Sequence, residues 1–208
     1  MKISNFRDKK IRCGLYGACN MDFSSYNKLF ALIESELSKR KQTVLAIDGG
    51  AASGKTTLSS FLAEKYSAGV VHMDDFFLPP EKRNLERLSE FDGNTDRERF
   101  IEEVLPHLGK YEKFSYGKYD CHLGKISKKA EIFPSKLIIV EGVYSLSPYF
   151  IQKYNIKIML SVSEKEQLER LKKRNSAEIY DMFIKKWLPL EKRYFEVGEI
   201  EKKCDLCL

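Results

Sequence analysis

Apolar residues along this chain fall into two rhythms. Short, mostly apolar runs, rich in β-branched residues, occupy positions 43–47, 68–73, 136–140 and 156–162. Such runs predict strands buried on both faces, as in a parallel sheet. Between them apolar positions recur at i, i+3 and i+4, which predicts amphipathic helices. Residues 22–40 carry Phe23, Tyr26, Leu29, Phe30, Ile33 and Leu37 in that spacing, with Asp22 or Ser24 as N-cap. Helices are also predicted over 57–65, over roughly 95–108, after a Ser163 cap, and over 177–197. Phe183, Trp187 and Leu190 share one face of the last of these, and Pro189 inside it predicts a kink. A final strand is expected near 204–208. Weak alternation at 113–119 and 129–133 predicts a small antiparallel flap, and the polar stretch 81–97 reads as a surface insertion. Strands alternating with helices place the chain in the α/β class.

The first strand runs into Asp48-Gly49-Gly50-Ala51-Ala52-Ser53-Gly54-Lys55-Thr56-Thr57. Gly49 to Thr56 fits G-x-x-x-x-G-K-[ST] without mismatch, and strand, glycine loop and helix follow in the order that gives this pattern meaning. Glycines allow the chain to approach an anion closely, while loop amides and the helix N-terminus point at phosphate oxygens. Gly49 through Thr57 are therefore the candidate triphosphate cradle. Within it Lys55 reaches the outer phosphates and the Thr56 hydroxyl is a candidate Mg²⁺ ligand.

Acids at the C-terminal ends of strands lie where ligands bind in open α/β sheets. Asp74 and Asp75 end the second strand, and Glu141 ends the run 136–140. Glu141 is a candidate for organising Mg²⁺ beside Thr56. The basic run Arg170-Leu171-Lys172-Lys173-Arg174 follows a strand–helix unit where a lid over a nucleotide would lie, and His72 and His107 read as structural.

Composition changes this picture little. The chain has 208 residues, 43% hydrophobic and 32% charged, enough for one α/β domain. The net charge of +6 is scattered and mixed with Glu, which argues against nucleic acid as the main partner. With neither a membrane span nor a signal-peptide pattern in view, a cytoplasmic location is expected. The five cysteines are expected as free thiols, with Cys204-Asp205-Leu206-Cys207 in a buried terminal strand. Neither N-K-x-D nor D-x-x-G occurs, so a GTPase switch lacks its usual residues. Self-association is left open.

The order G-x-x-x-x-G-K-T-T, D-D-F-F-x-P, Y-D, E-G, R-x-x-x-R and W-x-P-L-E-x-x-Y resembles the uridine kinase family and its relative, nicotinamide riboside kinase. The likeness covers about residues 43–208 and is most specific at 48–57, 72–79 and 137–144. It implies a P-loop NTPase fold, three-layer α/β/α with a mostly parallel five-stranded sheet, NMP-kinase-like, with a small β flap and a helical lid. Residues 43–208 would be the kinase domain and 1–42 an arm and helix packed on it. The implied activity is ATP- and Mg²⁺-dependent transfer of a phosphoryl group to a nucleoside hydroxyl, first of all the 5′-OH of uridine or cytidine. Nicotinamide riboside, pantothenate or another small metabolite is the alternative acceptor, and a nucleotide-binding module without turnover the second alternative. By resemblance Asp74 is the general base, Glu141 organises Mg²⁺ or water, and Arg170 and Arg174 are lid cations. Asp92 matches a ribose-contacting Asp and Tyr119 a base-stacking Tyr; Asp75, Phe77 and Arg83 complete the acceptor set. A His that reads the pyrimidine in uridine kinases has no match: Gly124 stands near that spacing and His122 is displaced by two.

Overall fold

In the computed structural model, which describes residues 26–121 and 123–208, the predicted strands line up side by side and all parallel. They are β1 (Thr43–Gly49), β2 (Gly69–His72), β5 (Leu137–Glu141), β6 (Ile156–Leu160) and β7 (Leu206–Cys207), ordered β2-β5-β1-β6-β7. β3 (Phe114–Asp120) and β4 (Lys125–Ile132) form the separate antiparallel flap. The central strand β1 is buried at every position, as its apolar run predicts.

Alternation along the strands sorts side chains into two layers. Leu45, Ile47, Leu137 and Ile139 face α1 (Asn27–Lys39) and α2 (Lys55–Tyr66), which contribute Leu29, Ile33, Leu58 and Leu62. Val44, Ala46, Ile138 and Val140 face the other way. There they meet Phe100 of α4 (Arg97–Glu103), Tyr116 of the flap and Tyr194 of α7 (Leu188–Val197). The result is the expected three-layer α/β/α sandwich. Each fully buried Leu or Ile in it contributes roughly 1.5–3 kcal/mol of transfer free energy.

The C-terminal third is helical. α5 (Glu164–Arg174) starts at Ser163, whose hydroxyl accepts the Glu166 N–H as the cap predicted. α6 (Ala177–Met182) passes into a π-helical turn, Phe183–Trp187, before α7. That turn directly precedes Pro189, which lacks the N–H an α-helix needs there, so the expected kink takes the form of a π turn.

Three expectations need correction. The stretch 81–97 holds α3 (Leu85–Ser89) and is surface only in its first part: 81–90 are exposed or half-buried, whereas Asp92, Asn94, Thr95 and Asp96 are all buried. Asp92 is paired with Arg97 and Ser147, and Arg87 donates to the Thr95 carbonyl, so polarity there does not mark solvent. The terminal strand is an edge strand, with Cys207 exposed and Cys204 half-buried. His72 is not simply a strand residue, as described below. The proposed helix caps Asp22 and Ser24, and also Phe23, Cys13, Cys19 and His122, lie outside the described residues.

Candidate active site

β1 ends in the glycine loop, and the loop backbone shows why its residues are needed. Gly49 has φ 141° and a Cβ there would stand 2.2 Å from the Leu160 carbonyl oxygen, so only glycine fits. Gly54, at φ 104°, opens α2 from the left-handed region, and Ala52 is held at φ 61°. Gly50, Ala51 and Ser53 complete the turn, closed by Ser53 N–H donating to the Gly50 carbonyl at 3.1 Å. Lys55 is buried, its Nζ donating to the carbonyls of Gly49 (2.7 Å) and Gly50 (2.9 Å). The Ser53 hydroxyl is buried without a partner among the described residues. An orphaned hydroxyl, a folded-back ammonium and a twelve-residue helix starting at the loop together fit a polyphosphate. Thr57 follows in the first turn of α2.

Beneath the loop, Asp48 is fully buried. It accepts from Gly49 N–H (2.7 Å), Leu146 N–H (2.9 Å) and the Tyr194 hydroxyl (2.7 Å). Burial pushes its carboxyl above the usual range, and the three donors pull it back.

Register puts the strand-end acids beside the loop. Glu141 of β5 lies level with Ile47 of β1 and His72 of β2. The Thr56 hydroxyl stands 3.4 and 3.5 Å from the two Glu141 carboxylate oxygens. Mg²⁺ takes one or two protein oxygens and fills its octahedron with phosphate and water, so this pair fits it. Among the described residues there is no cluster of three or more His, Cys, Asp or Glu that could hold a metal by itself. His72 Nδ1 sits 2.5 Å from Glu141 Oε1, a contact that raises the histidine's pKa against the opposing effect of burial. His72 thus belongs to the site.

Asp74 lies in a 3₁₀ turn, Met73–Phe76, just past β2. The residue is solvent-exposed although protein surrounds its carboxyl on most sides. That desolvation, and next the Glu141 charge, raise its carboxyl above the ordinary value. Asp75 turns inward instead. It accepts from the Tyr116 hydroxyl at 3.1 Å, and Lys118 Nζ lies 3.7 Å away. Arg99 ties this turn to the flap by donating to the carbonyls of Asp75 and of Gly117, with its guanidinium over the Phe76 ring at 4.3 Å.

The other acceptor-side residues are placed unevenly. Arg83 is half-buried and donates through Nε to the Leu78 carbonyl at 2.6 Å. Phe77 is half-buried and bridges to Thr95. Asp92 is fully buried, with Arg97 on one oxygen (2.9 Å) and the Ser147 hydroxyl on the other (2.6 Å). The expected ribose contact at Asp92 is therefore not available in this conformation. Tyr119 is also buried, so its ring offers no open face for a base.

From the lid, Arg170 Nη1 donates to the Ala52 carbonyl at 2.9 Å, which brings it to the loop as expected. Arg174 is not brought there; its guanidinium lies over Phe183 at 5.6 Å. Two loop contacts were not anticipated. Gln167 Nε2 donates to the Ala51 carbonyl (2.9 Å), and buried Glu191 Oε2 accepts the Ala51 N–H (2.8 Å). Glu191 and Tyr194 are three apart on one helix face, a spacing visible in the sequence; that this face meets the loop is not.

A sheet with this order, loop and strand-end chemistry defines the phosphate-loop kinase class. No protein-family model matches the chain. Among curated proteins it is 29% identical over 155 residues to uridine kinase-like protein 4 of Arabidopsis thaliana, covering 69% of this chain and 32% of that protein. The chain thus spans about a third of that relative's length. It is 28% identical to a dephospho-CoA kinase of Fusobacterium nucleatum (72% of this chain, 83% of the relative). A uridine kinase of Mycoplasma genitalium is 26% identical (81% and 85%). A solved structure described as a possible uridine kinase from Bacillus stearothermophilus superposes with TM-score 0.64 at 22% identity, covering 87% of this chain and 99% of that one. D-glycerate 3-kinase from Cryptococcus neoformans superposes with TM-score 0.61 at 16% identity (84% and 89%), a likeness of fold alone. Within the phosphate-loop class, the chain is similar to uridine kinases and uridine kinase-like proteins.

Proposed function

We propose that the protein is an ATP-dependent small-molecule kinase whose domain is residues 43–208 and whose acceptor is a hydroxyl, in first place that of a nucleoside. The observation that supports this most is the convergence of Thr56, Glu141 and Asp74 at the ends of three adjacent elements. Bound ATP–Mg²⁺ would supply the activated phosphoryl group. The loop residues Gly49 to Thr57 hold the phosphates through backbone amides, and Lys55 releases its two carbonyls to reach them. Thr56 and Glu141 would hold the metal. Asp74, exposed just past β2, accepts the proton of the acceptor hydroxyl. Arg170 neutralises charge from the lid side. Little covalent chemistry is asked of these groups; alignment and fixed charge supply the acceleration.

A second reading, a smaller hydroxylated metabolite as acceptor, is favoured by the burial of Asp92 and Tyr119. Coupled ADP detection against uridine, cytidine, nicotinamide riboside, pantothenate and small polyols separates the two. One acceptor should stimulate ADP release, and Asp74→Asn should lower kcat by about 100-fold or more while Mg·ATP still binds. Near-normal turnover in that variant sinks the base assignment, and acceptor-independent ADP release sinks the kinase reading.

A further inference from the structure

One buried acid touches the phosphate loop and has no part in the chemistry above. Glu191 of α7 accepts the Ala51 N–H at 2.8 Å, and a Cβ on Gly50 would stand 3.5 Å from its Oε2. Its carboxylate therefore lies directly on the backbone of the loop that is to receive a polyanion. The same helix is fixed beneath the loop by Tyr194 on Asp48, so Glu191 has little room to withdraw. The charged groups nearest to it are Lys55 from α2, Asp48 from β1 and Asp74 after β2, with the Tyr144 phenol after β5. From α5 the loop is met by neutral Gln167 and by Arg170.

We propose that Glu191 couples nucleotide binding to proton uptake: ionised against the empty loop, it takes up a proton when a nucleoside triphosphate fills it. The proposal rests on the reading of the loop as a nucleotide site. Two effects act in the same direction. The phosphates place negative charge beside a carboxylate already short of water. They also draw Lys55 onto themselves, weakening a cation that favours the ionised acid. A protonated carboxyl keeps a carbonyl oxygen for the Ala51 N–H, so the loop need not rearrange. Burial already pushes this carboxyl up to about 7, so the exchange falls in the physiological range.

The test is calorimetric titration of Mg·ATP into the full chain between pH 6.5 and 8.5, in buffers of contrasting ionisation enthalpy. The dependence of heat on buffer counts protons taken up. The wild type should take up a sizeable fraction of one proton near pH 7.5, and its Kd should weaken by up to about tenfold across the range. Glu191→Gln keeps an acceptor for the Ala51 N–H but cannot titrate. In it the buffer dependence should shrink to what the nucleotide and Asp74 contribute, and Kd should flatten with pH. Equal buffer dependence in both proteins overturns the proposal and leaves the nucleotide site standing. So does a wild type that binds Mg·ATP with no proton at pH 7.5, a result independent of whether the variant folds. Absence of any Mg·ATP binding takes down the nucleotide-site reading and this proposal with it.

Discussion

Removing one oxygen atom from Tyr194 tests whether the phosphate loop is held from below. Tyr194 is fully buried, and its hydroxyl donates to Asp48 Oδ2 at 2.7 Å. In Tyr194→Phe the ring keeps its neighbours, Phe91, Tyr144 and Phe195, whose centroids lie 4.9, 4.8 and 5.0 Å away. The only loss is a donor to a buried carboxylate, and hydrogen bonds to charged groups are worth about 1.5–3 kcal/mol. A loss of about 2 kcal/mol in a chain of this size lowers Tm by about 4–8 °C. The effect has a pH signature. Asp48 is already raised by burial, and losing a donor raises it further. A carboxyl raised in the folded state loses stability as pH climbs through its folded pKa, so the deficit of the variant should grow from pH 5 to pH 8. Tyr154→Phe is the matched control. The Tyr154 hydroxyl is also buried but has no partner among the described residues, so its removal should be neutral or stabilising. Thermal melts of the three proteins at pH 5, 6.5 and 8 decide the matter. A Tm shift under about 1 °C for Tyr194→Phe at pH 8, or equal losses in both variants, would refute the reasoning.

Arg99→Met removes buried donors to the carbonyls of Asp75 and Gly117 together with the cation over Phe76, and should destabilise by about 3 kcal/mol. Because those bonds join the acceptor-side turn to the flap, amide exchange over residues 114–132 should rise more than exchange in β1; uniform change across the chain would contradict the linkage. Asp74 must be ionised to act as base, and its carboxyl is held above the ordinary range by desolvation and the Glu141 charge. The acid limb of kcat/KM should therefore lie above the usual Asp value of about 3.9, and a profile flat down to pH 4 would count against it.

What could be read without coordinates was what is local. The run 137–140 is apolar at every position and can only be a buried strand; Gly49 to Thr56 is a contiguous motif whose geometry is set by its own glycines. Strand-end acids follow from the same logic, since Glu141 closes its strand and Asp74 stands two residues past the end of its own. The misreadings arose where a side chain's partner lies far along the chain. Asp92 looked solvent-facing because its neighbours are polar, yet Ser147, fifty-five residues on, takes one of its oxygens. His72 is the strand residue it looked like, but its partner Glu141, sixty-nine residues away on the adjoining strand, was not legible. Glu191 reaches Ala51 across 140 residues and Tyr194 reaches Asp48 across 146. These long-range polar pairs share a physical reason for being unreadable. Apolar burial is non-directional and leaves a periodic trace, whereas a buried acid is tolerated only through donors of defined geometry, and geometry is a property of the assembled sheet. α7 illustrates the consequence: its sequence advertises an amphipathic helix, but Glu191 and Tyr194 make it a second wall of the phosphate loop. A substitution on that helix should therefore be read first in nucleotide binding, before it is read in helix stability.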